Sequence, residues 1–162
     1  MEFPAGEVLE ESIKINEINI EQVLKELIEQ KFSGYLVVTI YGYTGIEEGL
    51  ILFRDGITIG SFYEYNQINT VIEGDNALLE SLNALKAKYG IMDINALSKQ
   101  QAELIVTFKD AIKTKERSLQ ELKKMLPQKY STDYSKKVLR ETSETEKSRY
   151  EVMKALGLVE LE

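Results

Sequence analysis

Apolar residues recur along the chain with different periods, and the period assigns each stretch to an element. Asn19 with Gln22 three residues later reads as a helix start, and Val23, Leu24, Leu27 and Ile28 then follow at helical spacing to near Lys31. After Phe32-Ser33-Gly34, residues 35–41 are a β-branched and aromatic run that reads as a strand, closed by the loop Gly42-Tyr43-Thr44-Gly45. Residues 48–54 and 57–65 read as two more strands around Asp55-Gly56, a dipeptide that tolerates the positive φ angles of a type I′ turn. A two-residue loop sets Arg54 opposite Ile57, Leu52 opposite Ile59, Ile51 opposite Gly60 and Leu50 opposite Ser61. That register predicts Leu50, Leu52, Ile57 and Ile59 on one face, with Ile51, Phe53 and Phe62 on the other. A sheet apolar on both faces needs cover on both. Either the chain's own helices supply the second cover, or a second subunit or partner protein does.

Further on, Asp75 is placed to cap a helix from residue 76 to about 89, with Leu78, Leu79, Leu82 and Leu85 on its apolar side and Gly90 at its stop. Residues 91–97 read as a short return strand. Ser98 with Gln101 then starts a longer helix that Pro127 ends. Within it Ile105, Phe108, Ile112, Lys115, Leu119, Leu122 and Leu126 follow a 3-4 spacing, apolar except at Lys115. Such a seam suits packing on the home sheet or pairing with another helix. Residues 128–137 are polar and turn-prone, and residues 140–149 carry no large apolar side chain, so they read as a linker and a solvated helix. Val152, Met153, Leu156, Leu158 and Val159, with Gly157 as a helix stop, form an amphipathic docking element at the end. The expected fold is α+β, a small, mainly antiparallel sheet packed with helices. Residues 1–126 form the domain, and 127–162 a linker and C-terminal helical arm.

Composition removes several function classes. The 162 residues include no cysteine and no histidine, which excludes disulfides, thiolate zinc sites and an imidazole base. The acidic N-terminus does not read as a signal peptide, and no apolar run approaches the ~18 to 20 residues of a spanning helix, so a cytoplasmic protein without a membrane segment is expected. Charge is uneven: residues 1–100 hold 16 acids and 7 bases (net −9), residues 101–162 hold 11 acids and 13 bases (net +2), summing to the formal −7. The acidic front half repels phosphate backbones, so only the C-terminal half could meet nucleic acid.

Candidate chemistry is sparse. Ser33, Thr44 and Ser61 stand in no nucleophile motif, and Gly42-Tyr43-Thr44-Gly45 lacks the spacing and lysine of a phosphate loop. Glu47, Glu48, Glu64, Glu73 and Asp75 could contribute to a hard-cation site, but their spacing matches no calcium loop and they read as solvated surface acids. No catalytic residue, cofactor or metal is therefore expected. Tyr35, Tyr41, Tyr43, Tyr63 and Tyr65 could form a base-stacking platform, yet Arg54 is the only base between Tyr35 and Tyr65, so a protein interface suits them better. With Ile105, Phe108, Ile112, Leu119 and Leu122 of the helical seam, they are the candidate partner-binding residues. A basic helix over residues 109–124 (Lys109, Lys113, Lys115, Arg117, Lys123, Lys124) supports the alternative of a nucleic-acid accessory protein.

The segment KFSGYLVVTIYGYTGIEEGLILFRDGITIGSFYEY, with its F-S-G-Y-L start and FRDG turn, resembles an archaeal family known as domain of unknown function 2226. It is also similar to the PATAN adaptor domains of bacterial signalling proteins. The likeness runs through the helix containing Ala77, Leu78 and Leu79 to about Phe108; the C-terminal third departs from it. It implies protein interaction rather than catalysis. The expected function is a non-enzymatic adaptor that binds a protein partner or a second copy of itself.

Overall fold

Asp55 and Gly56 both take positive φ, 49° and 77°, so the tight turn between the central strands forms as expected. It joins β3 (Gly45–Arg54) to β4 (Ile57–Tyr65). The Gly56 N–H donates to the Phe32 carbonyl at 2.8 Å and the Asp55 N–H to Ser33 Oγ at 2.9 Å. The turn is thereby pinned to the Phe32-Ser33-Gly34 bend.

The structure is a computed structural model that describes residues 2–159. Its other elements are β1 (Glu7–Lys14), α1 (Ile20–Glu29), β2 (Gly34–Gly42), β5 (Thr70–Glu73), α2 (Asp75–Ala84), β6 (Gly90–Ala96), α3 (Lys99–Phe108), β7 (Lys113–Arg117), α4 (Leu119–Met125) and α5 (Asp133–Ala155). One antiparallel sheet has the order β1-β6-β2-β3-β4-β5, and β7 also pairs with β4. The fold class is α+β. Two helix starts follow the sequence: Asn19 Oδ1 accepts from the Gln22 N–H at 3.1 Å, and Ser98 and Gln101 form a reciprocal capping box. Gly157, at φ 68°, follows the end of α5 as expected.

The hairpin register departs from the simple count beyond the turn. Arg54 faces Ile57, but Leu52 faces Gly60, Ile51 faces Ser61 and Leu50 faces Phe62, because Ile59 is an extra residue bulged out of β4. A one-residue bulge reverses the side-chain parity of everything after it. Phe62 therefore joins Leu50, Leu52 and Ile59, whereas Tyr63 and Tyr65 turn to the face of Ile51 and Phe53. Gly60 sits where a Cβ would come within 3.2 Å of Val106 and 3.3 Å of the Ile112 carbonyl, so at the bulge the chain around α3 lies close against β4.

The single long helix over 99–126 does not form. It is replaced by α3, a 3-10 turn (Asp110–Ile112), β7 and α4. β5 pairs with β4 only from Phe62 to Tyr65, leaving the edge at Thr58–Gly60 open, and β7 fills that edge. The Asp75 carboxylate accepts from the Lys115 N–H at 3.2 Å and from Arg117 at 2.9 Å, and Ser118 caps α4. Burial of a β-edge outweighs helix continuity here. The 3-4 seam is thus split: Ile105 and Ile112 pack on one face of the sheet and Leu122 and Leu126 on the other, while Phe108 is 82% exposed.

Three smaller expectations also change. α2 begins after Gly74, runs from Asp75 only to Ala84, and leaves Leu79 exposed. Residues 128–137 are not a linker, because Tyr130 and Tyr134 pack against the core together with Val138, whereas residues 140–149 lie in α5 and are exposed apart from Thr142, a solvated helix as expected. β1, β5 and β7 carry no apolar alternation that would have announced them: β1 is exposed along nearly its whole length.

Candidate functional site

The first face of the sheet is closed. Leu36, Val38, Ile40, Ile51, Phe53 and Met92 form its floor, and α1, α2, α4 and the start of α5 form its roof. Inside this layer lies a polar network. Tyr63 donates to Glu47 Oε2 at 2.7 Å, and Thr44 donates to Glu47 Oε1 from its N–H (3.1 Å) and its hydroxyl (2.9 Å). Beside them Tyr65 donates to Glu80 Oε2 at 3.3 Å. Glu47 is 0% exposed and Glu80 6%. Burial, the largest cause, pushes the Glu80 carboxyl up to about 7, against the pull of its Tyr65 bond. Burial followed by the neighbouring carboxylates also holds the Tyr63 and Tyr65 phenols far above their usual range, and pushes Tyr130 up to about 12.

This network seats the C-terminal arm. Asn83 and Ser131 exchange a side-chain donor at 2.8 Å and a backbone donor at 2.9 Å. The Tyr130 and Ser135 hydroxyls are buried beside it. Every carboxylate oxygen bond noted above comes from a tyrosine or threonine of the fold itself, which makes this a structural polar layer inside the core.

The second face is covered only in part. Val37, Leu50, Leu52, Ile57, Ile59 and Phe62 lie beneath α3, and Phe3 stacks on Phe62 with ring centroids 5.6 Å apart and planes inclined by 9°. Arg54 ties this cover down through ion pairs to Glu103 of α3 and Glu116 of β7. One cross-strand row further along, cover stops. Ile91, Thr39, Glu48, Glu64 and Val71 stand side by side on five neighbouring strands, followed by the Tyr41–Ile46 pair. Tyr41 is 77% exposed, Tyr89 67%, and Ile46, Val71 and Ile91 are all exposed. An open groove of about 530 Å³ runs between Lys14, Glu17, Tyr41, Ile46, Tyr89 and Ile91. Glu48 and Glu64 face each other directly, and burial followed by the charge of Glu64 raises the Glu48 carboxyl.

The expected partner-binding residues are therefore scattered. Tyr63 and Tyr65 are core groups, a correction that follows from the bulge at Ile59. Tyr35 is half-buried against Phe3, and its hydroxyl reaches the Pro4 carbonyl at 3.4 Å. Ile105, Ile112 and Leu122 are buried and Leu119 is half-buried, so the expected seam is not an exposed one. Tyr41 alone of the five tyrosines lies in the groove, while Tyr43 lies in the β2–β3 turn under Lys136. The expected basic helix is also dispersed: Lys113, Lys115 and Arg117 are on β7, Lys123 and Lys124 on α4, and Lys109 bonds the Glu2 carbonyl. Of the five acids, Glu47 is the reverse of a solvated surface group. Ile46, Tyr89 and Ile91 went unnoticed in the sequence, since each is a single apolar residue at an element end. Among the described residues no group of acids is arranged to hold a metal ion, and no helix is long and apolar enough to cross a membrane.

The family model described as an uncharacterized protein conserved in archaea, domain of unknown function 2226, matches residues 1–109. The chain belongs to that family. No curated protein and no solved structure matches it.

Proposed function

Starting from a member of this archaeal family, we propose a non-enzymatic interaction module of the cytoplasm whose binding surface is the open half of the second sheet face. One observation carries the reading: an apolar floor of Tyr41, Ile46 and Ile91 is left bare on a face whose other half lies beneath α3 and Phe3. Exposed apolar groups gathered around a concave surface are costly to leave in water and mark contact sites. We extend the reading to an adaptor role of the PATAN type, on the F-S-G-Y-L and FRDG motifs alone. The buried carboxylates support it by contrast, since their oxygens are engaged inside the core rather than turned to the groove.

The test is a photo-reactive side chain placed at Tyr41, with the same group at Leu79 on the opposite face as control. Protein adducts at position 41 and none at 79 are expected. Equal adduct formation at both positions, or none at 41, would remove the reading.

A further inference from the structure

A second unpartnered apolar surface lies on α5. Tyr134, Val138, Thr142, Thr145, Arg149, Val152 and Leu156 follow each other at spacings of four and three, so they share one face of the helix. The face begins docked: Tyr134 and Val138 pack on the core, and Thr142 lies 3.4 Å from Thr70 of β5. Beyond Arg149 its apolar side chains are exposed among the described residues. Val152, Met153 and Leu156 are 56%, 44% and 67% exposed. From Tyr150 to Leu156 the helix projects on the order of 10 Å. It leaves the domain at the β5 edge on the first face, whereas the groove opens on the second face near β6, so a continuous helix cannot return to its own groove.

We propose that the groove receives the α5 tail of a second copy of this chain, and that two copies exchange tails reciprocally about a twofold axis. The inference rests on the functional reading above and names its partner. Charge decides between occupants. The strand row beside the groove carries Glu48 facing Glu64 with Asp93 nearby, and the tail carries Arg149 on the same helix face as Val152 and Leu156. A helix lying along β3 with Arg149 over Glu48 and Glu64 sets Val152 and Met153 one pair of residues further on, at Ile46. Three to four helical residues rise ~5 to 6 Å, and Glu48 to Ile46 spans ~7 Å of strand, so the spacings agree. Leu156 then falls at Tyr41 and Tyr89. Reciprocal exchange doubles a contact that is small when made once and closes the assembly.

Because the native chain has no cysteine, the test is direct. Two full-length single-cysteine proteins, Ile46→Cys and Met153→Cys, are mixed and oxidised, while light scattering follows the unmodified chain. The expected results are a mixed 46–153 cross-link and a dimer that both Ile46→Glu and truncation after Ser148 turn into monomer. Both positions are exposed, and far-UV circular dichroism confirms that each variant stays folded. A monomer at all concentrations, or cross-linking only between two copies of position 153, overturns the exchange. In that event a synthetic peptide of residues 143–159 separates the two levels. Binding that Ile46→Glu weakens at least tenfold leaves the groove standing as an interaction surface, and binding indifferent to Ile46→Glu removes both.

Discussion

The two faces of this sheet differ in how they finish their surfaces. The first face is roofed by four helices and contains polar groups that satisfy one another: Glu47 with Tyr63 and Thr44, and Glu80 with Tyr65. The second is roofed by α3 and Phe3 up to the row of Leu50 and Phe62, then stops, leaving Glu48 against Glu64 beside bare Tyr41 and Ile46. The same residue types thus serve opposite purposes. A tyrosine or glutamate facing the first layer holds the fold together, whereas one on the open row costs stability until something covers it.

Substitution should expose this contrast most strongly in the apolar groups. Leu78→Ala, in the closed layer, is expected to cost about 3 kcal/mol in denaturant unfolding, against less than about 0.5 kcal/mol for Ile46→Ala in dilute solution. Comparable losses at both sites would show that the second face is as well packed as the first.

The pH dependence comes next. Glu80 has its carboxyl raised to about 7 in the fold, above its ordinary value of 4.5, so the folded state binds its proton more tightly than the unfolded state. Its stabilisation is complete below about pH 4.5, falls as pH rises, and is gone above about 7. Glu80→Gln should remove this part of the pH slope, which amounts to about 3 kcal/mol at most. Unfolding midpoints measured between pH 5 and 8 check it. A slope identical to that of the parent protein would place the titration elsewhere.

Tyrosines offer the matched pair. Tyr63→Phe strands a buried acceptor on Glu47 and is expected to cost about 2 kcal/mol, whereas Tyr41→Phe should be neutral to within a few tenths. The smallest effect is a gain. Glu64→Gln relieves the like-charge pair with Glu48 and should stabilise the isolated protein by about 0.5 kcal/mol, an increment that shrinks in salt.

What was legible in the sequence follows the same division. Local chemistry announced itself: Asp55-Gly56 turned as expected, and Asn19 and Ser98 capped their helices. Non-local choices did not. The bulge at Ile59 depends on the chain around α3 pressing against Gly60, and β7 exists because β5 is too short to cover the β4 edge. Both reassigned side chains, sending Tyr63 and Tyr65 inward and splitting the seam of Ile105, Ile112 and Leu122. Of the candidate interface only Tyr41 was visible beforehand. Ile46 and Ile91 are brought together by strand pairing through β2, and Tyr89 joins them from the bend before β6.

The central claim is that the groove of Tyr41, Ile46, Tyr89 and Ile91 is bare in one molecule and covered in an assembly. Thiol labelling of the Ile46→Cys protein, followed from dilute to concentrated solution, tests it most directly. Rapid labelling when dilute is predicted, with at least tenfold protection when concentrated that disappears on truncation after Ser148. A rate that stays constant over the whole concentration range, with or without the tail, would contradict it.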